Sequence, residues 1–140
     1  MQTHTIQLQF PGFEAVVAVS GTASLYELAA FLIETLGFDF DHAFGFYDNV
    51  KNPYRSKEKY TLFADMGESE DGEPGVKKTF VADVFAPKKK MLLLFDYGDD
   101  WMFLLACTGV EPAKTRRKVR KVLSTKGTPP EQYPDYDEEE

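Results

Sequence analysis

Three carboxylates, Asp96, Asp99 and Asp100, fall within five residues of the stretch LLLFDYGDDWMFLLA, 92 to 106, with Tyr97 and Trp101 beside them. Carboxylates this close together could hold a metal ion or a substrate, and Trp101 would supply an aromatic anchor. The same residues also make the polar turn that two buried strands require. In that reading Gly98 supplies a positive φ, an Asp bonds its own backbone, and Trp101 packs, largely buried, as the returning strand begins. Asp96 fits the turn least comfortably, because a carboxylate between Phe95 and Tyr97 must reach solvent or find a donor. The patterned oxygen array of a calcium loop is absent, so the stretch predicts neither a resident metal nor another cofactor.

The remaining reactive side chains are few. His4 and His42 are separated by a predicted strand, turn and helix, and neither has a metal-like spacing to another ligand, which predicts surface or capping histidines. The single cysteine, Cys107, excludes an intramolecular disulfide and lies in an apolar run, where it reads as a small buried hydrophobe. No nucleophile elbow, phosphate loop or dinucleotide fingerprint occurs, so no residue is assigned a catalytic role.

The elements that must position these residues follow from periodicity. TIQLQF, 5 to 10, alternates apolar and polar residues as a strand with one wet face, Pro11-Gly12 breaks it, and FEAVVAV, 13 to 19, returns as the second strand of a hairpin. Ser24 and Glu27 have the spacing of a capping box, which predicts a helix from Leu25. Leu25, Leu28, Ala29, Leu32 and Leu36 share a face, and Gly37 ends the helix. AFGFYD, 43 to 48, reads as a third strand. Residues 49 to 75 read as a long surface loop with one brief strand near 60 to 63. KTFVADVFAP, 78 to 87, predicts about two helical turns capped by Thr79 and stopped by Pro87. The hairpin from Met91 to Cys107 follows, and RKVRKVLS, 117 to 124, predicts a charged edge strand. TKGTPPEQYPDYDEEE, 125 to 140, is too rich in proline and acid to pack as regular structure.

A chain of 140 residues suits one core. The predicted architecture is a single α+β domain over 1–134 with an acidic tail at 135–140. Its sheet is expected to be mixed or mainly antiparallel, with one long helix packed on a face and a β-grasp-like first half. The net charge of −7 argues against a general nucleic-acid binder, yet positive charge clusters at Lys88-Lys89-Lys90 and in KTRRKVRK, 114 to 121. The opening residues carry neither a signal peptide nor a membrane span, which predicts a cytoplasmic protein.

At the hairpin and near the C-terminus the chain resembles the plasmid pRiA-type open-reading-frame-three-like proteins, some of which are described as passenger proteins of an insertion element. FDYGDDW, 95 to 101, matches the aromatic-Asp-aromatic-Gly-Asp-x-Trp core of that family. GTPPEQYPDY, 127 to 136, matches its Gly-x-x-Pro-Pro-Glu segment. GFDFDHAFGF, 37 to 46, follows its strand entry, with His42 at the family's first histidine and Phe38 in place of a Trp. The family commonly has His two residues after the hairpin Trp, where this chain has Phe103. The resemblance implies an α+β fold and leaves the activity open.

Together these readings predict a small cytoplasmic binding or protein-interaction module without catalytic activity. Its candidate binding residues are Asp96, Tyr97, Asp99, Asp100, Trp101 and His42 at the hairpin, with Arg116, Arg117 and Arg120 in the basic stretch. The expected partner is a protein; nucleic acid is the less favoured partner, and no membrane is expected. Two alternatives stand beside this reading. One is a metal-assisted hydrolase using Asp96, Asp99, Asp100 and His42. The other is a nucleic-acid or transposition accessory protein, suggested by the basic strand and by the family's association with mobile elements.

Overall fold

Alternation at the N-terminus produces the expected hairpin: β1 (Gln2–Phe10) pairs antiparallel with β2 (Phe13–Ser20), and Gly12 takes φ 84° at the turn. Ile6, Leu8, Ala15 and Val17 point to one face and are buried. In the computed structural model, which describes residues 1–69 and 71–134, this hairpin lies within one seven-stranded sheet. The other strands are β3 (Phe44–Tyr47), β4 (Lys59–Thr61), β5 (Lys90–Phe95), β6 (Trp101–Pro112) and β7 (Arg120–Gly127). Their order is β4-β3-β5-β6-β1-β2-β7, and every neighbouring pair is antiparallel.

The capping box forms as the spacing requires. The Glu27 amide donates to Ser24 Oγ at 3.0 Å, and the Ser24 amide donates to Glu27 Oε1 at 3.2 Å. Helix α1 (Leu25–Thr35) follows, and Gly37, at φ 78°, sits in the left-handed conformation just past its end.

Of the mixed or mainly antiparallel sheet expected, the antiparallel form is found, but the expected α+β architecture with one long helix packed on a face is corrected: the seven-stranded sheet dominates and the helices beside it are minor. α1 has 11 residues, and α2 (Leu62–Asp65) and α3 (Val81–Val84) have four each. Length explains the result. At 1.5 Å per residue α1 extends roughly 16 Å, whereas seven strands spaced about 4.8 Å apart span roughly 29 Å. The helix therefore covers only part of the apolar face. Phe38, Val76, Val81, Val84 and Phe85 join the same core from the loops and from α3.

The β-grasp-like order is overturned as well. β1 has both edges occupied, by β2 and β6, so β3 emerges from the helix to pair with β5 and β4. The apolar hairpin of β5 and β6 takes the centre of the sheet because its residues need cover on both faces. Met91, Leu93, Phe95, Phe103, Leu105 and Cys107 enter the main core on the α1 side, while Leu92 and Leu94 join Tyr47 in a smaller cluster on the opposite face. Burial raises the Cys107 thiol, consistent with an inert core residue.

One local expectation shifts and another narrows. Residues 78 to 87 make one helical turn rather than two, because the Thr79 hydroxyl donates to the Gly75 carbonyl instead of capping. The Phe80 amide is satisfied by the Asp83 carboxylate at 3.0 Å. Of the surface or capping roles expected for His4, it takes the second. It is 2% exposed, and its Nδ1–H donates to the Phe85 carbonyl at 2.8 Å, so it caps the end of α3 from within the core.

The edge strand lies three residues later than expected, at Arg120–Gly127, and carries regular pairing into the segment predicted to be irregular. Gly127 makes that docking possible. Its φ is 86°, and a Cβ there would lie 2.1 Å from the Gly12 carbonyl oxygen. Gly127→Ala is expected to cost about 1–2 kcal/mol, read as a lowered midpoint in urea unfolding, because both the backbone conformation and the close approach are lost. The predicted acidic tail, 135 to 140, lies outside the described residues. Among the described residues no helix is long and apolar enough to cross a membrane.

Candidate functional site

The turn between β5 and β6 is built by Asp96 rather than by glycine. Asp96 and Asp100 hold the left-handed conformations, at φ 66° and 51°, and Gly98 does not. Asp tolerates this region because its short carboxylate can bond nearby backbone. Asp96 Oδ1 accepts from the Gly98 amide at 3.0 Å and the Asp99 amide at 3.3 Å, while the Asp100 amide closes the turn on the Asp96 carbonyl at 2.6 Å. Gly98 serves through its small size, since a Cβ there would stand 3.3 Å from Asp96 Oδ1. The donors that Asp96 needed are thus supplied, and the residue is buried.

The second carboxylate oxygen of Asp96 meets His42. Asp96 Oδ2 lies 3.3 Å from His42 Nε2, which also contacts the Tyr133 hydroxyl at 2.8 Å and Asp41 Oδ1 at 3.5 Å. Tyr133 donates to Asp41 Oδ2 at 2.8 Å, so its oxygen accepts from the His42 Nε2–H. The hydrogen bond to Asp41, with burial and neighbouring carboxylates adding to it, pushes the Tyr133 phenol up to about 12. All three partners of His42 address the same nitrogen. These contacts make the cluster a latch between three chain segments.

Gln132, which periodicity and motif reading did not single out, anchors the same region. Its Oε1 accepts from the Asp39 amide at 2.6 Å, and its Nε2 donates to the Asp39 carbonyl at 3.1 Å and to Asp41 Oδ1 at 3.2 Å. The side chain imitates a strand partner for a residue that has left the helix and not yet entered β3. The only sequence signal for it is its place in GTPPEQYPDY, directly before the latch tyrosine.

The predicted hairpin residues divide between two sides of the sheet. Asp99 and Trp101 line a cleft of about 370 Å³ with Gln132, Tyr133 and Pro134. Trp101 is half-buried rather than largely buried, because it opens β6 at the end of the sheet. Its ring packs on Phe38 at 5.0 Å and Phe10 at 5.7 Å, and stacks on Phe103 at 6.4 Å. Tyr97 lies on the opposite face, where its hydroxyl meets that of Tyr47 at 2.7 Å. Asp100 lies beside Tyr54, whose phenol is raised by partial burial and then by the Asp100 carboxylate. Among the described residues no group of three His, Cys, Asp or Glu side chains is arranged to hold a metal ion.

Arg116, Arg117 and Arg120 lie far from this end. Arg120 pairs with Val19, Val19 with His4 and His4 with Val110, which places Arg120 near the distal end of β6, whereas Trp101 begins that strand. Residues 113 to 127 contain seven Lys or Arg and no Asp or Glu, leaving nine Lys and Arg against 23 Asp and Glu, a net of −14, on the rest of the chain. All eight residues of β7 are exposed, including Val122 and Leu123. Lys118 pairs with Glu27 at 3.2 Å. By contrast, Lys89 of the other basic cluster is engaged by Glu58.

A model of the plasmid pRiA4b ORF-3-like protein family matches residues 13–137. No curated relative matches the chain. Among solved structures the chain is similar to the crystal structure of a protein of unknown function, MM3350, from Methanosarcina mazei Go1. The TM-score is 0.72 at 16% identity, over 91% of this chain and 71% of that one. At that identity the likeness is one of fold.

Proposed function

Because the chain belongs to the plasmid pRiA4b ORF-3-like protein family, whose function is unknown, we propose a role from its charge distribution: a cytoplasmic protein-interaction module that accepts an acidic, extended segment of a partner along β7. The observation that carries this reading is the segregation of seven basic residues onto an exposed edge strand and its approach, on an otherwise acidic body. An edge strand offers unpaired backbone amides and carbonyls to an added strand, and the Lys and Arg side chains select a partner carrying carboxylates. Val122 and Leu123 give such a strand apolar contact. The hairpin supports a catalytic reading less well, since Asp96 is spent on turn amides and His42, and Asp100 lies on the other side from Asp99.

The test is fluorescence anisotropy with a labelled ten-residue peptide alternating Glu and Val, at low and high salt. Binding is expected to weaken at least about ten-fold in Arg120→Glu/Lys121→Glu and to fall steeply with added salt, as exposed charge pairs are screened. Unchanged affinity in the variant would overturn the proposal. Tighter binding of short duplex DNA than of the peptide would replace it with the nucleic-acid accessory reading.

A further inference from the structure

On the sheet face opposite α1, β3 and the hairpin build a second cleft, of about 590 Å³, bounded by Tyr47, Tyr54, Phe63 and Tyr97 and by Lys59, Thr61, Glu68, Asp71 and Glu73. Its floor is constructed rather than incidental. Tyr47, 5% exposed, and Tyr97 join hydroxyls at 2.7 Å directly over Gly45, where any Cβ would come within 2.9 Å of both phenol oxygens. Phe63 packs on Tyr97 with ring centroids 5.1 Å apart, and Tyr54, 64% exposed, forms the rim.

Three carboxylates face one ammonium in this lining, and that ammonium is already used, since Lys59 pairs with Asp71. Glu73 accepts from the Thr61 and Ser69 hydroxyls, each at 2.7 Å. Burial raises this carboxyl, but those bonds and backbone amides override it and hold the group at about 2, so it stays ionised at neutral pH. Three carboxylates against one ammonium therefore leave the lining with a net charge of −2 among four aromatic rings. Such a lining repels anions, and a neutral ligand gains nothing from its net negative charge. A cation with a hydrocarbon body satisfies both, through the ring faces and through the carboxylates.

We propose that this cleft binds a free aliphatic cation of the polyamine class, with ammonium groups held between the Tyr54, Phe63 and Tyr97 rings and the Glu68 and Glu73 carboxylates. This site is independent of the β7 surface. The body's net negative charge also attracts polycations diffusely, so the test must separate the two effects. Isothermal titration with spermidine is compared with arginine amide, which presents a guanidinium instead, and with a neutral ether of similar length. The same titrations are run on Tyr54→Ala/Glu68→Gln and on Glu34→Gln, an exposed position on α1 outside the cleft. Both cleft positions are exposed, so folding is not at stake. The expected result is saturable binding of spermidine over the ether, weakened about ten-fold or more by the cleft variant and unaltered by Glu34→Gln. Tighter binding of arginine amide than of spermidine would overturn the polyamine assignment. Absence of saturable binding, or equal weakening in both variants, would overturn the site.

Discussion

Phe95→Ala is expected to lower the unfolding free energy by about 3–5 kcal/mol, as a chemical denaturation series would read it. The ring is fully buried at the end of β5, where the backbone pairs with Phe44 on one side and Trp101 on the other. It stacks on Phe40 with centroids 6.0 Å apart and takes the His42 ring edge-on at 6.0 Å. Truncation loses the transferred area and leaves a cavity that the strands on either side cannot close, because both are held by ladder hydrogen bonds. Phe95→Leu, which keeps most of the volume, should cost less than about 2 kcal/mol. A loss below about 1 kcal/mol for the alanine variant would contradict a core centred on this ring.

Asp96→Ala should cost about 2–4 kcal/mol, the second largest effect. Two backbone amides of the turn lose their acceptor, and alanine must hold a left-handed backbone that aspartate tolerates. Asp96→Asn separates acceptor from charge. The amide oxygen can still receive the Gly98 and Asp99 N–H groups, so stability should fall by less than about 1.5 kcal/mol, with the charge beside His42 removed. Equal losses in the two variants would mean that the charge, rather than the turn geometry, holds Asp96 in place. A near-neutral Asp96→Ala would refute the role in the turn altogether.

Phe38 and Phe103 sit in one aromatic stack, 6.2 Å apart, with Trp101 against both. Phe103 is fully buried there.

What the amino-acid sequence determined by itself was local. The β1–β2 hairpin, the capping box at Ser24, the Gly37 stop, the pairing of β5 with β6 and the burial of Cys107 all follow from residues within a few positions of one another, where sterics, side-chain capping and alternation act directly. Its errors were also local rules carried too far. Gly98 carried the expectation of positive φ, although a buried carboxylate with two amides to satisfy made Asp96 the better occupant. The helical period of 25 to 36 marked a real helix, yet nothing in that period states how wide a sheet the helix must share.

The tertiary structure alone decided the strand order, the meeting of His42 with Asp96 and Tyr133, and the grip of Gln132 on Asp39. It also decided the hydroxyl-to-hydroxyl contact of Tyr47 with Tyr97 over Gly45. These contacts join residues roughly 50 to 90 positions apart, and no side-chain propensity or spacing rule reaches that far. They exist because an antiparallel sheet must bury both faces of its central hairpin. The segments left to cover its ends and its second face then bring their polar groups together wherever a donor meets an acceptor.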